Sequence, residues 1–241
     1  MKAYVLKGFG GVENLVTEEI PVPEPAPGEI LIRVKAISIN PVDIKTRIGK
    51  GRAENLKGRD PIILGWDVSG TIIETGDGVS SFRTGDEVFG MINFPGHGKA
   101  YAEYVTAPES HVALKPLEIT HEEAAAACLA ALTAWQILKE RVKLKAGDNV
   151  LIHAAAGGVG HYAVQMCRYL GAHVTGTASA KNREFILSLG ASAHIDYENE
   201  AFETMIHDVD FVLDCIGGSY IDRSMKVLRR GGTIVTIPSG G

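Results

Sequence analysis

The sequence predicts an α/β chain in which a β-rich first half precedes a doubly wound parallel sheet. Three observations carry that prediction. Short segments with strand-like alternation, separated by Gly, Pro and Asp turns, run up to Leu114. From Val150 onward, strand-like and helix-like segments alternate. The first of these later strands, Val150-Leu151-Ile152, passes through His153 into Ala154-Ala155-Ala156-Gly157-Gly158-Val159-Gly160, a small-residue turn that opens an amphipathic helix. The capped helix between the halves sets the expected division, with a β-rich domain over 1–121 and a dinucleotide-binding domain over 122–241.

Residues 2–7 and 15–19 read as strands. Pro21, Pro23, Pro25 and Pro27 make the next stretch an extended connector, because proline removes a donor and blocks helix. Over 29–38, Ile30, Ile32, Val34 and Ala36 share one face, while Leu31, Arg33, Lys35 and Ile37 share the other. That is the period of a strand. Further strands are expected over 68–75, 87–92, 100–106 and 111–114, with turns at Gly76-Asp77-Gly78, Thr84-Gly85-Asp86 and Pro95-Gly96. Short strands with regular turns indicate a barrel or sandwich. Asn40-Pro41-Val42-Asp43, after the long strand, reads first as a turn, and Gly65-Trp66-Asp67 opens the next strand.

Thr120 and Glu123 form a capping box that opens an alanine-rich helix, continued over 129–139. In the turn after 150–152, Ala155, Gly157 and Gly160 occupy the three small-residue slots of a dinucleotide fingerprint. A side chain at Gly157 would hold the backbone away from a pyrophosphate, and one at Gly160 would push the helix off its strand. The helix start at Gly158 and Val159 adds free N–H groups and a partial positive charge. Val159, Ala163, Met166 and Leu170 share one helix face, and Gly171 stands where a C′ glycine belongs. Strands over 173–177, 194–197, 211–216 and 233–237 then alternate with helices over 183–189, 201–206 and 221–228. This order demands parallel strands and right-handed crossovers.

The second strand speaks to the cofactor. An acidic residue about 20 positions past the fingerprint would bond an NAD ribose. Here the segment reads Thr177-Ala178-Ser179-Ala180-Lys181-Asn182-Arg183, and the first acid is Glu184, already inside a helix. Ser179, Lys181 and Arg183 offer a hydroxyl and two cations to a 2′-phosphate instead, which favours NADPH over NADH.

Bulk properties exclude several classes. At 241 residues, with 45% hydrophobic and 22% charged residues, the chain has the composition of a soluble protein with room for two cores. A net charge of −5 without a basic cluster argues against a nucleic-acid surface. No apolar run approaches the ~20 residues of a membrane span. The first residues lack a signal peptide's apolar core. Cys128, Cys167 and Cys215 lie among apolar or small residues and out of metal-ligand spacing, as suits reduced thiols in the cytoplasm.

Five motifs, in order along the chain, carry a resemblance: Asn40-Pro41-Val42-Asp43, Gly65-Trp66-Asp67-Val68-Ser69-Gly70, Leu132-Thr133-Ala134-Trp135, Ala155-Ala156-Gly157-Gly158-Val159-Gly160 and Asp214-Cys215-Ile216-Gly217-Gly218. The chain resembles the medium-chain dehydrogenase/reductase superfamily, and within it the zinc-free, zeta-crystallin-like quinone oxidoreductases. The resemblance implies a chaperonin-10-like first domain, a Rossmann second domain and a homodimer for full-length relatives. It implies that Asn40 meets the nicotinamide side or the substrate oxygen, that Asp43 orders its turn, and that Thr133 approaches the nicotinamide ribose. It places Gly157, Gly158 and Val159 at the pyrophosphate, and Ser179, Lys181 and Tyr197 around the adenosine phosphate. Cys215, Ile216 and Gly217 would line the nicotinamide ribose, with Ile237, Pro238 and Ser239 near the carboxamide.

In the alcohol dehydrogenase branch, the turn after the long strand carries a cysteine ligand and the following Gly motif a histidine. Asn40-Pro41-Val42-Asp43 and Trp66 stand there instead, and neither asparagine nor tryptophan is a credible ligand for catalytic zinc. The structural zinc loop is replaced by the cysteine-free run from Met91 to Gly98, so no metal is expected. Without a Lewis acid, the acceptor must already be electrophilic: a quinone or an α,β-unsaturated carbonyl compound. No side chain stands out as proton donor, which leaves solvent.

Two departures from the family pattern matter. Lys50-Gly51-Arg52 follows Gly49, where relatives often carry an aromatic residue near the substrate. Relatives also continue past the last strand, so the ending at Gly241 reads as a truncation. A truncated, non-catalytic NADPH-binding protein, a sensor or partner subunit, is the alternative expectation.

Overall fold

The parallel sheet of the second half has the order β11-β10-β9-β12-β13, which is the doubly wound arrangement expected from the sequence. Its strands are β9 (Asn149–Ile152), β10 (His173–Ala178), β11 (Ala193–Asp196), β12 (Val209–Asp214) and β13 (Leu228–Thr236). The structure, a computed structural model, describes residues 1–237 of the 241-residue chain. Two compact units emerge, Met1–Leu129 and Ala130–Gly241. The division falls inside α3 (His121–Trp135), beyond the expected boundary at 121/122, because the first turns of that helix bond to the β-rich unit.

In the second unit, α4 (Gly158–Tyr169) and α5 (Arg183–Ser188) follow β9 and β10, and α6 (Phe202–Met205) and α7 (Ser219–Met225) flank β12. Leucine, valine and isoleucine alternate inward to both faces. Val150, Ile152, Val174 and Leu213 pack against Ala163, Val164 and Cys167, whereas Leu151, Val212 and Ile195 pack against Phe202 and Val227. The expected helix face of Val159, Ala163, Met166 and Leu170 lies against the first of these cores.

The first unit holds β1 (Lys2–Leu6), β2 (Leu15–Glu19), β3 (Glu29–Ile37), β4 (Ile62–Ile63), β5 (Asp67–Thr75), β6 (Glu87–Met91), β7 (Tyr104–Pro108) and β8 (Ala113–Leu114). These form a five-stranded antiparallel sheet, β7-β3-β5-β6-β8, and a three-stranded sheet, β2-β1-β4. Two local expectations change. The strand expected over 100–106 begins only at Tyr104, because the preceding backbone is spent elsewhere. The Ala100 and Tyr101 N–H groups donate to Gly65 and Leu64, and the Tyr101 carbonyl accepts from Tyr4. The turn expected at Asn40-Pro41-Val42-Asp43 instead starts a helix, α1 (Pro41–Arg47), followed by the short α2 (Ala53–Leu56). Asn40 at the N-cap, Pro41 at the first helical position and Asp43 bonded back to the Asn40 N–H explain the switch.

Candidate functional site

In the second unit the predicted residues converge on the carboxyl ends of the parallel strands. β9 lies between β10 and β12, the switch point at which such sheets open a ligand crevice. The turn after β9 is tied to both neighbours: the His153 N–H donates to Leu213 O and the Ala155 N–H to Thr177 O, each at 2.9 Å. The buried His153 ring bridges Thr177 Oγ1 at 3.1 Å and Ser224 Oγ at 3.0 Å. Burial pulls its pKa down to about 4, so the ring is a neutral staple beneath the turn.

Each small residue of that turn has a distinct duty. A Cβ on Gly160 would lie 2.2 Å from the Ala154 carbonyl oxygen, so α4 could not approach β9. Ala155 fits the first slot because Gly176 of β10 faces it; a Cβ there would sit 2.8 Å from that of Ala155. Gly157 is the N-cap of α4. A Cβ on Gly158 would meet nothing within 4 Å, so open space lies over first-turn N–H groups that lack intrahelical acceptors. With Val159 next in line, this cradle fits a pyrophosphate.

Ser179, at the end of β10, is buried and accepts from Asn182 Nδ2 at 3.1 Å, shaping a short turn. Lys181 and Arg183 project from that turn into solvent, and Tyr197 is exposed just after β11. After β12, Asp214 shapes the Cys215-Ile216-Gly217 turn. Its Oδ1 accepts from the Ile216 and Gly217 N–H groups at 2.9 Å each, and Thr236 Oγ1 donates to its Oδ2 at 3.2 Å. Ile237 joins the same edge by donating its N–H to Asp214 O at 2.8 Å. Burial, with Asp214 adjacent, pushes the Cys215 thiol up to about 12, so it is no nucleophile. Thr133 lies half-buried on α3. Pro238 and Ser239 lie outside the described residues.

In the first unit, Asn40 and Asp43 gather with two residues that had been assigned no role, Asp67 and Tyr101. Asn40 donates its N–H to Asp43 Oδ2 at 2.7 Å and its side-chain amide to Asp67 Oδ2 at 2.8 Å. Asp67 Oδ2 also accepts the Leu129 N–H at 3.1 Å. Burial lifts both carboxyls to about 6, and the charge of Asp67 adds to the effect on Asp43.

Two family models match this chain: an alcohol dehydrogenase GroES-like domain over residues 26–117 and a zinc-binding dehydrogenase domain over residues 158–240. The chloroplast envelope quinone oxidoreductase homolog of Arabidopsis thaliana is 37% identical, over 96% of this chain and 72% of that protein. The solved structure of the quinone oxidoreductase from Coxiella burnetii superposes with a TM-score of 0.92 at 41% identity, covering 99% of this chain and 76% of that one. The chain belongs to the quinone oxidoreductase branch of the medium-chain dehydrogenase/reductase superfamily. The chloroplastic NADPH-dependent alkenal/one oxidoreductase of Arabidopsis thaliana is 36% identical over 98% of this chain, which spans 62% of that relative's length.

As a member of this branch, the chain commits to other bonds the positions where the alcohol dehydrogenases carry zinc ligands. Trp66 is buried, its ring N–H donates to Gly96 O at 2.8 Å, and its edge meets the Phe94 ring. Asn40 is held by Asp67. Among the described residues, no three His, Cys, Asp or Glu side chains gather as a metal site.

No sequence pattern pointed to Asp67, Tyr101 or His153, which the structure places around Asn40 and beneath the glycine turn, and none gave Asp214 a role of its own. Asp67 and Asp214 lie in two of the five motifs, Gly65 to Gly70 and Asp214 to Gly218, each beside a glycine, which was a usable signal. His153 gave none, since a histidine in an apolar run looks like any buried residue. Asp214→Ala is expected to lose roughly 2–4 kcal/mol in chemical denaturation, since three donors lose a charged acceptor. A loss below about 0.5 kcal/mol, the range of neutral surface changes, would contradict its organising role.

Proposed function

We propose that the chain is an NADPH-dependent, zinc-independent reductase that delivers hydride to a quinone or an α,β-unsaturated carbonyl compound. The observation that carries this reading is the open glycine cradle at the switch point, with two exposed cations at the end of the neighbouring strand. The names of its relatives, quinone oxidoreductase and NADPH-dependent alkenal/one oxidoreductase, support both cofactor and acceptor.

The nicotinamide, when bound, supplies the hydride. The chain supplies position. Gly158 and Val159 hold the pyrophosphate with backbone N–H groups while Gly157, whose own N–H is donated to Ala154 O at 2.8 Å, lets the backbone approach it, and Ser179, Lys181, Arg183 and Tyr197 surround the adenosine 2′-phosphate. Asp214 holds the Cys215-Ile216-Gly217 turn against the nicotinamide ribose, which Thr133 also approaches, and Ile237 borders the carboxamide. Asn40, pinned by two carboxyls, orients the acceptor oxygen. Trp66 and Asn40 are already committed to protein partners, so these positions favour an acceptor that needs no Lewis acid. Three free thiols support a reducing compartment, and we read it as the cytoplasm. Among the described residues no helix is long and apolar enough to cross a membrane.

The test is NADPH oxidation against a panel of quinones, enals and enones, with and without a chelator. Turnover of at least one acceptor class is expected, unchanged by chelation and without stoichiometric zinc in elemental analysis. Tight NADPH binding with no turnover would instead support a sensor or partner subunit.

A further inference from the structure

We propose that His121 is a positioning residue for Asn40: it latches the start of α3 to β5 and β6, and the Ser69 hydroxyl reverses its role so that the latch holds in both protonation states of the ring. The positioning part rests on the proposed role of Asn40 at the acceptor; the latch does not.

The bonds form one line. His121, the first residue of α3, sets its Nδ1 2.8 Å from Ser69 Oγ and its Nε2 3.2 Å from Glu87 Oε1. Lys115 Nζ pairs with the other Glu87 oxygen at 3.2 Å and donates to Ile119 O at 2.8 Å. Ser69 Oγ also lies 3.0 Å from Val88 O. Ser69 is fully buried on β5, so no substrate reaches its hydroxyl, and the Ser-His-Glu order is no hydrolytic triad.

The hydrogens can be counted. Lys115 foremost, and then the His121 ring, hold the Glu87 carboxyl below the usual carboxylate range, so it only accepts. His121 Nε2 therefore carries a hydrogen whether the ring is neutral or charged. Nδ1 is what changes. On the neutral ring it is bare and takes the single Ser69 hydrogen. On the charged ring it donates, Ser69 accepts, and the serine hydrogen turns to Val88 O. One hydroxyl with one hydrogen and two short contacts has the geometry of such a rotor. Besides Glu87 and Lys115, Glu122 on α3 feels the charge of the ring.

The latch bears on Asn40 through the same helix and strand. Asp67 and Ser69 stand two apart on β5, share a face and are both fully buried. α3 meets that face twice, with His121 at Ser69 and, ~12 Å further along the helix, with the Leu129 N–H at Asp67 Oδ2. Asp67 Oδ2 is also the oxygen that accepts the Asn40 amide at 2.8 Å. A helix free to shift at its start carries the Leu129 N–H with it, and so moves the carboxylate that orients Asn40.

The experiment follows the His121 ring nitrogens and the Asn40 side-chain amide by nitrogen-15 NMR of the full chain across the histidine titration. The neutral ring is expected as the Nε2–H tautomer alone, with Nδ1 accepting a hydrogen bond. Glu87→Gln should lose that exclusive tautomer, because a glutamine amide can donate to a bare Nε2. In Ser69→Ala the neutral Nδ1 should move to the shift of an unbonded nitrogen. The Asn40 amide should shift in the same variant, although its own bond goes to Asp67. There kcat should fall about three- to tenfold, the worth of roughly one hydrogen bond, with the Kd for NADPH within about twofold. An Nδ1–H tautomer in the wild type, or an Nδ1 that ignores Ser69→Ala, would overturn the latch. An Asn40 amide and a kcat that both ignore Ser69→Ala would overturn the positioning role. If Ser69→Ala does not fold, His121→Ala supplies the same amide and kcat readouts, at a side chain that is 18% exposed. The nitrogen signature without turnover of any acceptor sinks the reductase reading alone; turnover with the wrong tautomer sinks the latch alone.

Discussion

Gly160→Ala is expected to weaken NADPH binding on the order of a hundredfold and to lower the thermal midpoint, whereas Gly158→Ala should weaken binding and leave the midpoint intact. The two residues are close neighbours in one turn, but their surroundings differ. At Gly160 a Cβ would meet the Ala154 carbonyl oxygen at 2.2 Å and the Ala155 Cα at 2.9 Å. Backbone cannot step aside as a side chain can, so the cost lies at or above the ~3 kcal/mol end of overpacking. At about 2–4 °C per kcal/mol, that lowers the midpoint by roughly 6–12 °C. Moving α4 off β9 also moves the N–H cradle, and each ~1.4 kcal/mol of lost contact is tenfold in affinity. At Gly158 the added methyl meets no protein atom, and alanine is the better helix former by up to about 1 kcal/mol. Only a bound pyrophosphate would object. Thermal melts with a fluorescence titration of NADPH distinguish the two variants. Unchanged NADPH affinity in Gly158→Ala would remove the pyrophosphate from this turn.

The double variant Lys181→Ala with Arg183→Ala should raise the Kd for NADPH by about a hundredfold or more and leave that for NADH within about twofold. Each charge-assisted bond to a phosphate is worth ~1.5–3 kcal/mol, and a 2′-phosphate offers acceptors that the NADH ribose lacks. Both side chains project into solvent from a turn that Ser179 and Asn182 hold together. Removing them therefore costs little stability. Because the site is exposed, the NADPH preference should shrink as salt is raised. Equal wild-type affinity for the two cofactors, or equal losses in the variant, would reverse the assignment.

The second unit was the more legible half. Its strands are buried and its helices carry apolar faces, so periodicity gave the order of its elements, although the last strand, β13, starts at Leu228, where the expected helix over 221–228 was still running, and takes in Gly231 and Gly232. The first unit was legible in its long strands and less so between them. Asn, Pro and Asp serve a turn and a helix N-terminus equally well, and at Asn40 only the bond from its N–H back to Asp43 separates the two. The late start of β7 likewise depends on where the Ala100 and Tyr101 N–H groups find acceptors, on segments distant in sequence.

What the sequence by itself determined is the α/β order, the fingerprint slots at Ala155, Gly157 and Gly160, and the acid-free end of β10. These are local properties, carried by residue size, period and charge within a few positions. What only the tertiary structure decided is which polar groups are buried together. Asp43, Asp67 and Tyr101 are far apart in the chain and unremarkable singly, and they meet because α1, the first residue of β5 and the loop before β7 enclose them. The same holds for His153 with Thr177 and Ser224. Burial and pairing are properties of the packed interior, and no window of sequence contains them.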